Sequence, residues 1–440
     1  MSWHKVKIGD FLKRSKIPIN IEDGKSYKRV TIRTKHQGVS LRDEEMGKKI
    51  GTKKQFVLKQ GQFVLSKIDA RYGAFGIAPE ETDGAIITGN FWAYDVDKSM
   101  MNIDWFNQYT NSPVFYDICE RASSGITHRK YLNEDFFLNH ELMIPDIDEQ
   151  DSHVKIIQNL KEVFGNLDYS LSHQLDLLKK LRQQILQDAV QGKLVPQDPN
   201  DEPASKLLER IKAEKEKLVR EKKIKKSKPL PPINPEEIPF EIPENWVWCR
   251  LGEIGVINPR NYISDDKDVS FIPMSFIYEK YGELPDFEKR KWRDTKRGFT
   301  HFANNDVAVA KITPCFENSK ACVFKNLLNG YGAGTTELHV FRGISDFTLP
   351  DYIYLNLKTN RFLINGERIM RGVAGQKRVP TEYFREFFIP LPPLQEQHRI
   401  VAKIDQLMTL CDELEQSIKQ SQKYTQELLQ VALKEALEPK

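Results

Sequence analysis

The short stretches most suggestive of chemistry fail, one after another, on spacing. Gly24-Lys25-Ser26 ends as a phosphate-cradling loop ends, but the glycine required five residues before Gly24 is Ile19. Gly330, Gly332 and Gly334 make a GxGxG. They open into a strand-like TTELHVF instead of the helix a nucleotide needs, so they read as a tight turn. Asp286, Glu288 and Lys289 are residue types that metal-dependent nucleases use, but those enzymes bring them from separate strands. Crowded into PDFEKRK they read as a charged loop. LPPI and LPPL lack the polar first residue of an amino-methylating Asn/Asp-Pro-Pro-aromatic loop, and no HExxH, GxSxG or Cys/His pair stands out. The nine histidines form no metal-like cluster, and the five cysteines (119, 249, 315, 322 and 411) contain no CxxC. The expectation is a protein with no catalytic residue, no metal site and no disulfide framework, suited to a reducing cytoplasm.

What the chain does carry is basic–aromatic loop material, in two sets. The first holds Arg33 and Lys35, then Lys67, Arg71 and Tyr72, then His128, Arg129 and Lys130. The second holds Lys291, Arg293, Lys296 and Arg297, then Lys311 and Lys320, then Arg371, Gln376, Lys377 and Arg378. Lysine and arginine neutralise phosphates, and Arg and Gln reach base edges in a major groove. A single such cluster is an ordinary solvated loop. Recurrence, Lys67 with Lys311 and Arg129 with Arg378, points to DNA read at two places.

The elements that must position these loops are also built twice. WHKVKIGDF from Trp3 matches WVWCRLGEI from Trp246, GQFVLSKID from Gly61 matches NNDVAVAKIT from Asn304, and IITGNFWAYDV from Ile86 matches GAGTTELHVFR from Gly332. Offsets drift from 243 to 247, as small loop insertions produce. The alternating runs read as strands. Segments around NIDWFNQYTNSPVFYDICERAS and LPDYIYLNLKTNRFLINGERIM read as helices that follow them.

Each copy then enters a long amphipathic helix. Ile157, Leu160, Phe164, Leu167, Leu171, Gln174, Leu178, Leu181 and Ile185 alternate spacings of three and four. Adding 247 gives Ile404, Leu407, Cys411, Leu414, Ile418, Ser421, Thr425, Leu428 and Ala432. About 40 residues make a rod of roughly 60 Å, and each rod's stripe finds its partner in the other copy. The apolar residues of these two sets are the expected seam.

Between the copies, Pro203 to Lys228 holds eleven Lys/Arg against four Glu, or +7, so the net +4 of the 440 residues leaves about −3 elsewhere. A short charged helix from about Ala204 to Lys223 reads as a solvated face, with contact to a phosphate backbone as the sharper alternative. A Pro-rich stretch follows it. No run of about 18 apolar residues is present, so no transmembrane helix is expected.

In layout the chain resembles the specificity (S) subunits of type I restriction–modification enzymes. The residues that carry the resemblance are Pro390 to Gln397 leading into HRIVAKIDQLM, LRQQILQDAVQGKLVPQDP from Leu181, and the Trp-x-x-x-x-Leu-Gly-Glu-Ile opening at Trp246. The first copy departs from the motif, with Asp146-Ile147-Asp148 in place of the prolines. The resemblance implies an α+β protein: two similar α/β target recognition domains separated by two long antiparallel coiled-coil helices, a pseudo-two-fold internal repeat. The boundaries would be 1–148 and 246–394 for the recognition domains, 149–192 and 395–440 for the spacer helices, and 193–245 for the linker. Each domain would read half of a bipartite gapped site, while the helices set the gap and dock two methyltransferase subunits. Restriction/translocase subunits would join through the complex. The S subunit would hold no cofactor, since S-adenosylmethionine, ATP and Mg²⁺ belong to its partners. A bacterial or archaeal cytoplasm is implied. Two other classes stay open: a single-chain restriction enzyme with its own active site, and a coiled-coil scaffold with no DNA role.

Overall fold

The computed structural model describes residues 3–124 and 130–437. The chain divides into two compact units, Met1–Leu171 with Gln420–Lys440, and Ser172–Lys419.

The two units repeat one topology, strand for strand. In the first, Trp3–Lys7 pairs antiparallel with Glu141–Pro145; in the second, Val247–Arg250 pairs with Phe388–Leu391. The strand-rich part of each unit is thus closed by a ribbon of its first and last strands. A four-stranded antiparallel sheet follows, in the order Leu12–Ser15, Phe91–Val96, Phe63–Ser66, Phe75–Ile77. Its counterpart runs Gly255–Ile257, Leu338–Gly343, Val307–Ala310, Ala321–Val323. The inner strands Phe63–Ser66 and Val307–Ala310 are buried at every residue. Such a position suits their uninterrupted small and apolar composition. A second sheet in each unit contains one parallel pair, Ser26–Ile32 with Ile86–Ile87 and Asp268–Ile272 with Tyr331–Gly334. The first unit adds a fifth strand, Pro18–Asn20, at the edge.

Helices pack behind the strands where caps and apolar spacing place them. Asn102 accepts from the Asp104 and Trp105 N–H groups to start Ile103–Thr110, and Thr359 accepts from Phe362 N–H to start Asn360–Arg368. Phe63, Phe75, Phe106 and Phe115 form a net of edge-to-face and tilted rings in the first core.

The long helices are Ile147–Val190 and Leu394–Leu437, 44 residues each and about 66 Å long. A buried glutamine near the start of each is the joint to the strand-rich part before it. Gln150 Oε1 accepts from Asn102 N–H (2.7 Å) while its amide donates to the Pro145 and Met100 carbonyls. Gln397 Oε1 accepts from Leu349 N–H (2.9 Å) and its amide donates to the Pro392 carbonyl. Glu396 adds a second lock in the second unit, accepting from Trp246 Nε1 (2.9 Å) and Gln197 Nε2 (2.6 Å). Burial pushes its carboxyl up from the usual range, against those two donors.

Within each unit the two helix stretches run antiparallel. In the first, His153 Nδ1 lies 2.9 Å from the Ala436 carbonyl. In the second, Arg182 donates to Asp412 (2.7 Å) and Glu415 (3.1 Å). The expected seam needs a correction of phase. Ile157, Leu171, Leu178, Ile185, Ile404 and Ile418 are buried, and Leu160, Phe164 and Leu407 are half-buried. Leu167, Leu181, Leu414 and Leu428 instead stand 44–59% exposed. The second row of the seam lies one residue further on, at Asp168, Leu175 and Arg182 in one helix and Met408, Glu415, Gln422 and Leu429 in the other. Charge pairing across the seam puts polar residues in that row, so it reads as surface in the sequence.

The linker's helix, Ala204–Arg220, is part of the second unit, and its thin apolar side is what it buries. Leu207, Leu208 and Ile211 are buried in that unit's main core with Trp246 and Leu251, and Arg399 pairs with Asp201.

Candidate nucleic-acid interface

In the first unit, two loops lock to each other by backbone bonds. The hairpin Arg33–Gly38 closes with Arg33 N–H to Gly38 O (3.0 Å). Lys35 and His36 sit at its tip with positive φ of 57° and 53°, a conformation that costs a non-glycine residue about 1 kcal/mol. Their N–H groups donate to the Tyr72 and Gly73 carbonyls (2.7 and 3.0 Å). The His36 ring packs on Phe75, with Nε2 2.8 Å from Thr110 Oγ1. The strain is therefore held by the neighbouring turn. That turn, Ala70–Tyr72, ends on Gly73 at φ 78°, and a Cβ there would run into Tyr116 and His36. The result is one surface with Lys35, Arg71 and Tyr72 together. Arg71 lies over the Tyr72 ring at 4.5 Å, and Tyr72 is 52% exposed. Lys67, on the same loop, lies 5.5 Å from the Tyr131 ring. Lys130 pairs with Glu120 at 3.1 Å. His128 and Arg129 lie outside the described residues.

The second unit presents a corresponding loop from Arg371 to Arg378. Arg371 and Arg378 exchange both backbone bonds (3.0 and 2.8 Å), and Gly372 and Gly375 take positive φ between them. Arg378 is bidentate to Glu337, both bonds 2.9 Å. Its hydrogen bonds hold the Glu337 carboxyl below the usual range, while burial pulls the nearby Lys311 amine down. Arg378 and Lys311 therefore brace the loop base, and Arg371, Gln376 and Lys377 stand exposed on it. Hydrogen bonding also corrects the correspondence between the copies. Leu132 N–H donates to Lys67 O and Val379 N–H to Lys311 O. Tyr131, rather than Arg129, thus occupies the place of Arg378.

A second basic patch lies on the strand Glu288–Lys291 and the turn after it. Here an acidic run faces the predicted cations: Lys291 pairs with Asp268 (2.8 Å), Arg293 with Asp266 (3.4 Å) and Lys296 with Asp265 (2.7 Å). These pairs are solvent-exposed and weak, so a phosphate can displace the carboxylate. Asp286 is bonded to Tyr278, Glu288 to Arg290 and Lys289 to Asp268. Among the described residues no His/Cys/Asp/Glu group is arranged to hold a metal ion, and no helix is long and apolar enough to cross a membrane.

Beside this patch is a cleft of about 880 Å³ lined by residues that spacing alone does not single out: Arg260, Tyr262 and the linker's Lys225, with Lys296, Arg297 and His301. Tyr262 is 86% exposed. The one signal for it in the sequence is the Arg-Asn-Tyr turn between two strand runs.

Comparison with known proteins agrees with this geometry. Residues 243–422 match a family model described as the type I restriction modification DNA specificity domain. The chain is 56% identical over 265 residues to the specificity subunit of the type I restriction enzyme EcoAI of Escherichia coli, a match covering 60% of this chain and 45% of that protein. It is 54% identical over 257 residues to the EcoEI specificity subunit of Escherichia coli, covering 58% and 43%. The matched region thus spans under half the length of these relatives. In fold, the chain is similar to an HsdS subunit from Thermoanaerobacter tengcongensis, with TM-score 0.59, 15% identity, and 99% and 96% of the two chains covered. A chain from a structure describing complex assembly and conformational transition of the type I R-M system gives TM-score 0.57 at 15% identity.

Proposed function

We propose that the chain is a type I restriction–modification specificity subunit that reads a bipartite, gapped duplex site with one recognition domain on each half, a reading supported by the matched family model and the 54–56% identical relatives. The observation that carries this is the pair of loop surfaces. Each adjoins the residue that follows the buried inner strand, Lys67 in one and Lys311 in the other, and each combines exposed cations with aromatic or amide side chains. The long helices act as the spacer that sets the gap. Methylation and cleavage are performed by partner subunits that bring S-adenosylmethionine, ATP and Mg²⁺, two of the partners being methyltransferases. This chain holds none of those cofactors.

We propose that such partners dock on the apolar row outside the seam. In the first unit Val163, Leu167, Tyr424 and Leu428 are exposed, and in the second Leu177, Leu181, Leu410 and Leu414. Positions 163, 167, 177 and 181 recur as 410, 414, 424 and 428 at the offset of 247. An apolar row left outside the two-helix seam, and repeated, suits helices supplied by a partner.

The test uses the full chain with and without co-expressed modification subunits. Incubated alone with DNA, Mg²⁺ and S-adenosylmethionine, it should neither methylate nor cut. With the partners, adenine methylation should appear at a gapped site. Robust methylation or cleavage by the chain alone would overturn the reading in favour of a single-chain enzyme.

A further inference from the structure

The linker's basic run, Lys222 to Lys228, is not a loose tether. The helix before it is sunk in the second unit's core, and Lys215 Nζ donates to the Gly252 and Gly255 carbonyls at the end of the short helix Leu251–Ile254. The linker helix ends in a Schellman-type cap. Lys223 N–H donates to Leu218 O (2.9 Å) and Lys222 N–H to Val219 O (3.0 Å). Ile224 then packs on the core. Beyond the run, Arg250 donates to the Pro231 and Pro232 carbonyls and fixes the other end.

Three features of the run call for a polyanion. Lys222 sits at the cap position with φ 57°, where glycine is easier by about 1 kcal/mol. The helix dipole favours a lysine there by only about 0.3–1 kcal/mol, no more than the strain costs. Lys222, Lys225, Lys226 and Lys228 make no ion pair among the described residues, whereas Lys217 and Lys223 pair with Glu214 and Glu221. And Lys225 lines the cleft with Arg260, Tyr262, Lys296 and Arg297.

That cleft is built from behind. Arg342 is bidentate to buried Asp306 (2.7 Å to each oxygen) and donates to Asn261 Oδ1 (2.9 Å). Asn261 donates in turn to the Phe302 carbonyl (2.8 Å), and its N–H donates to His301 Nδ1 (3.2 Å). Burial, with Arg260 and Arg342 nearby, lowers the His301 pKa, so the ring is neutral at pH 7. Asp265 is the one acid in the lining, and it is held by Lys296. A rigid loop thus carries an outward tyrosine and an arginine into a rim of lysines.

We propose that Lys222 to Lys228 and this cleft form a third DNA-contacting element, which grips phosphates beside the basic patch on Glu288–Lys291 without reading bases. The proposal rests on the DNA-reading function above. An acidic peptide of a partner subunit is the competing occupant. The outward tyrosine among cations suits a nucleic-acid backbone better, since rings and guanidiniums lie against sugar and base while amines take the phosphates.

The test is a variant of the full chain carrying Lys222→Gly, Lys225→Gln, Lys226→Gln and Lys228→Gln, purified with its modification partners. Glycine at position 222 keeps the helix cap, so folding is preserved. Affinity for the cognate duplex is measured across salt concentrations. The slope of log K against log salt should become shallower by about 3 to 4, at roughly 0.9 per lost phosphate contact. The ranking of substituted sites should not change. An unchanged slope with wild-type binding intact would overturn the proposal, and would do so in favour of a protein partner if the modification subunits no longer co-purify. Failure of the wild-type assembly to prefer any gapped duplex would remove the DNA-reading function itself, and this element with it.

Discussion

Gln62 donates to Asp95 at 2.8 Å in the first unit; at the same place in the second, Arg342 donates to Asp306 at 2.7 Å. The donor has moved to the other strand and the pair has gained a charge, yet the strands keep register. Phe63 faces Tyr94, as Val307 faces Phe341. Even the turn bond is kept, with Lys59 N–H donating to Gln62 Oε1 and Ala303 N–H to Asp306 Oδ2. The scaffold specifies positions and tolerates any chemistry that satisfies the buried groups. The loops above it carry no such constraint, and there the units diverge: an Arg71/Tyr72 turn against a locked hairpin in one, an Arg371–Arg378 loop braced by Glu337 in the other.

The comparison breaks most severely at the part both units need. Gln150→Leu and Gln397→Leu each leave a half-buried backbone N–H, Asn102 or Leu349, without its glutamine acceptor. Each should cost about 2–3 kcal/mol, read as a lowered urea midpoint. Equal losses would mark the joints as equivalent. A cost at Gln397 alone would mean that Glu396 and the linker, not the glutamine, hold the helix.

Acid should separate the units next. His339 is buried, stacked on Phe384, with Nε2 2.9 Å from the Val379 carbonyl and no partner for Nδ1 among the described residues. Burial pushes its pKa down to about 4 from 6.5. On acidification the unfolded chain takes the proton first, so the stability of the neutral ring is complete above pH 6.5 and is lost as pH falls toward 4. The second unit should weaken by about 2 kcal/mol between pH 7 and 5. Trp92 occupies the equivalent place in the first unit, whose acid response should come instead from His36 and His140, both lowered by burial. His339→Phe should remove the second unit's transition, with denaturant melts at both pH values as the check. An unchanged pH profile in that variant would assign the acid sensitivity elsewhere.

Smaller effects belong to the loops and the helix faces. Arg371→Ala should cost about 1–2 kcal/mol in binding at one half-site and leave thermal stability unchanged. Leu167→Lys and Leu414→Lys should shift folding stability by less than about 0.5 kcal/mol, since both side chains are already exposed. Each should still reduce capture of the modification subunits in a pull-down. If stability falls by several kcal/mol instead, those leucines belong to the seam after all.

Much of this was legible in the sequence, for a physical reason. Strands buried on both faces, such as Phe63–Ser66 and Val307–Ala310, read as apolar runs, and the repeat could be found from Trp3 and Trp246 without a structure. The heptad period was equally clear. Its phase was not, because these helices carry two apolar rows and pair through only one of them. Leu167, Leu181, Leu414 and Leu428 look like seam; Arg182 and Glu415, which occupy the seam, look like surface. The loop correspondence slipped for a related reason. Only the Leu132–Lys67 and Val379–Lys311 hydrogen bonds fix it, and no side-chain pattern encodes a backbone bond. Arg260 and Tyr262 stayed hidden because their setting comes from Asp306, Arg342 and His301, distant in sequence.

The most direct test of two independent readers is selection from a duplex library randomised in both half-sites, performed with the wild-type assembly, with Arg71→Ala and with Arg371→Ala. The account predicts that each variant relaxes base preference in one half-site only, and that the two variants relax different halves. Equal relaxation of both halves by either variant would contradict it, and would reduce these loops to general electrostatic contacts.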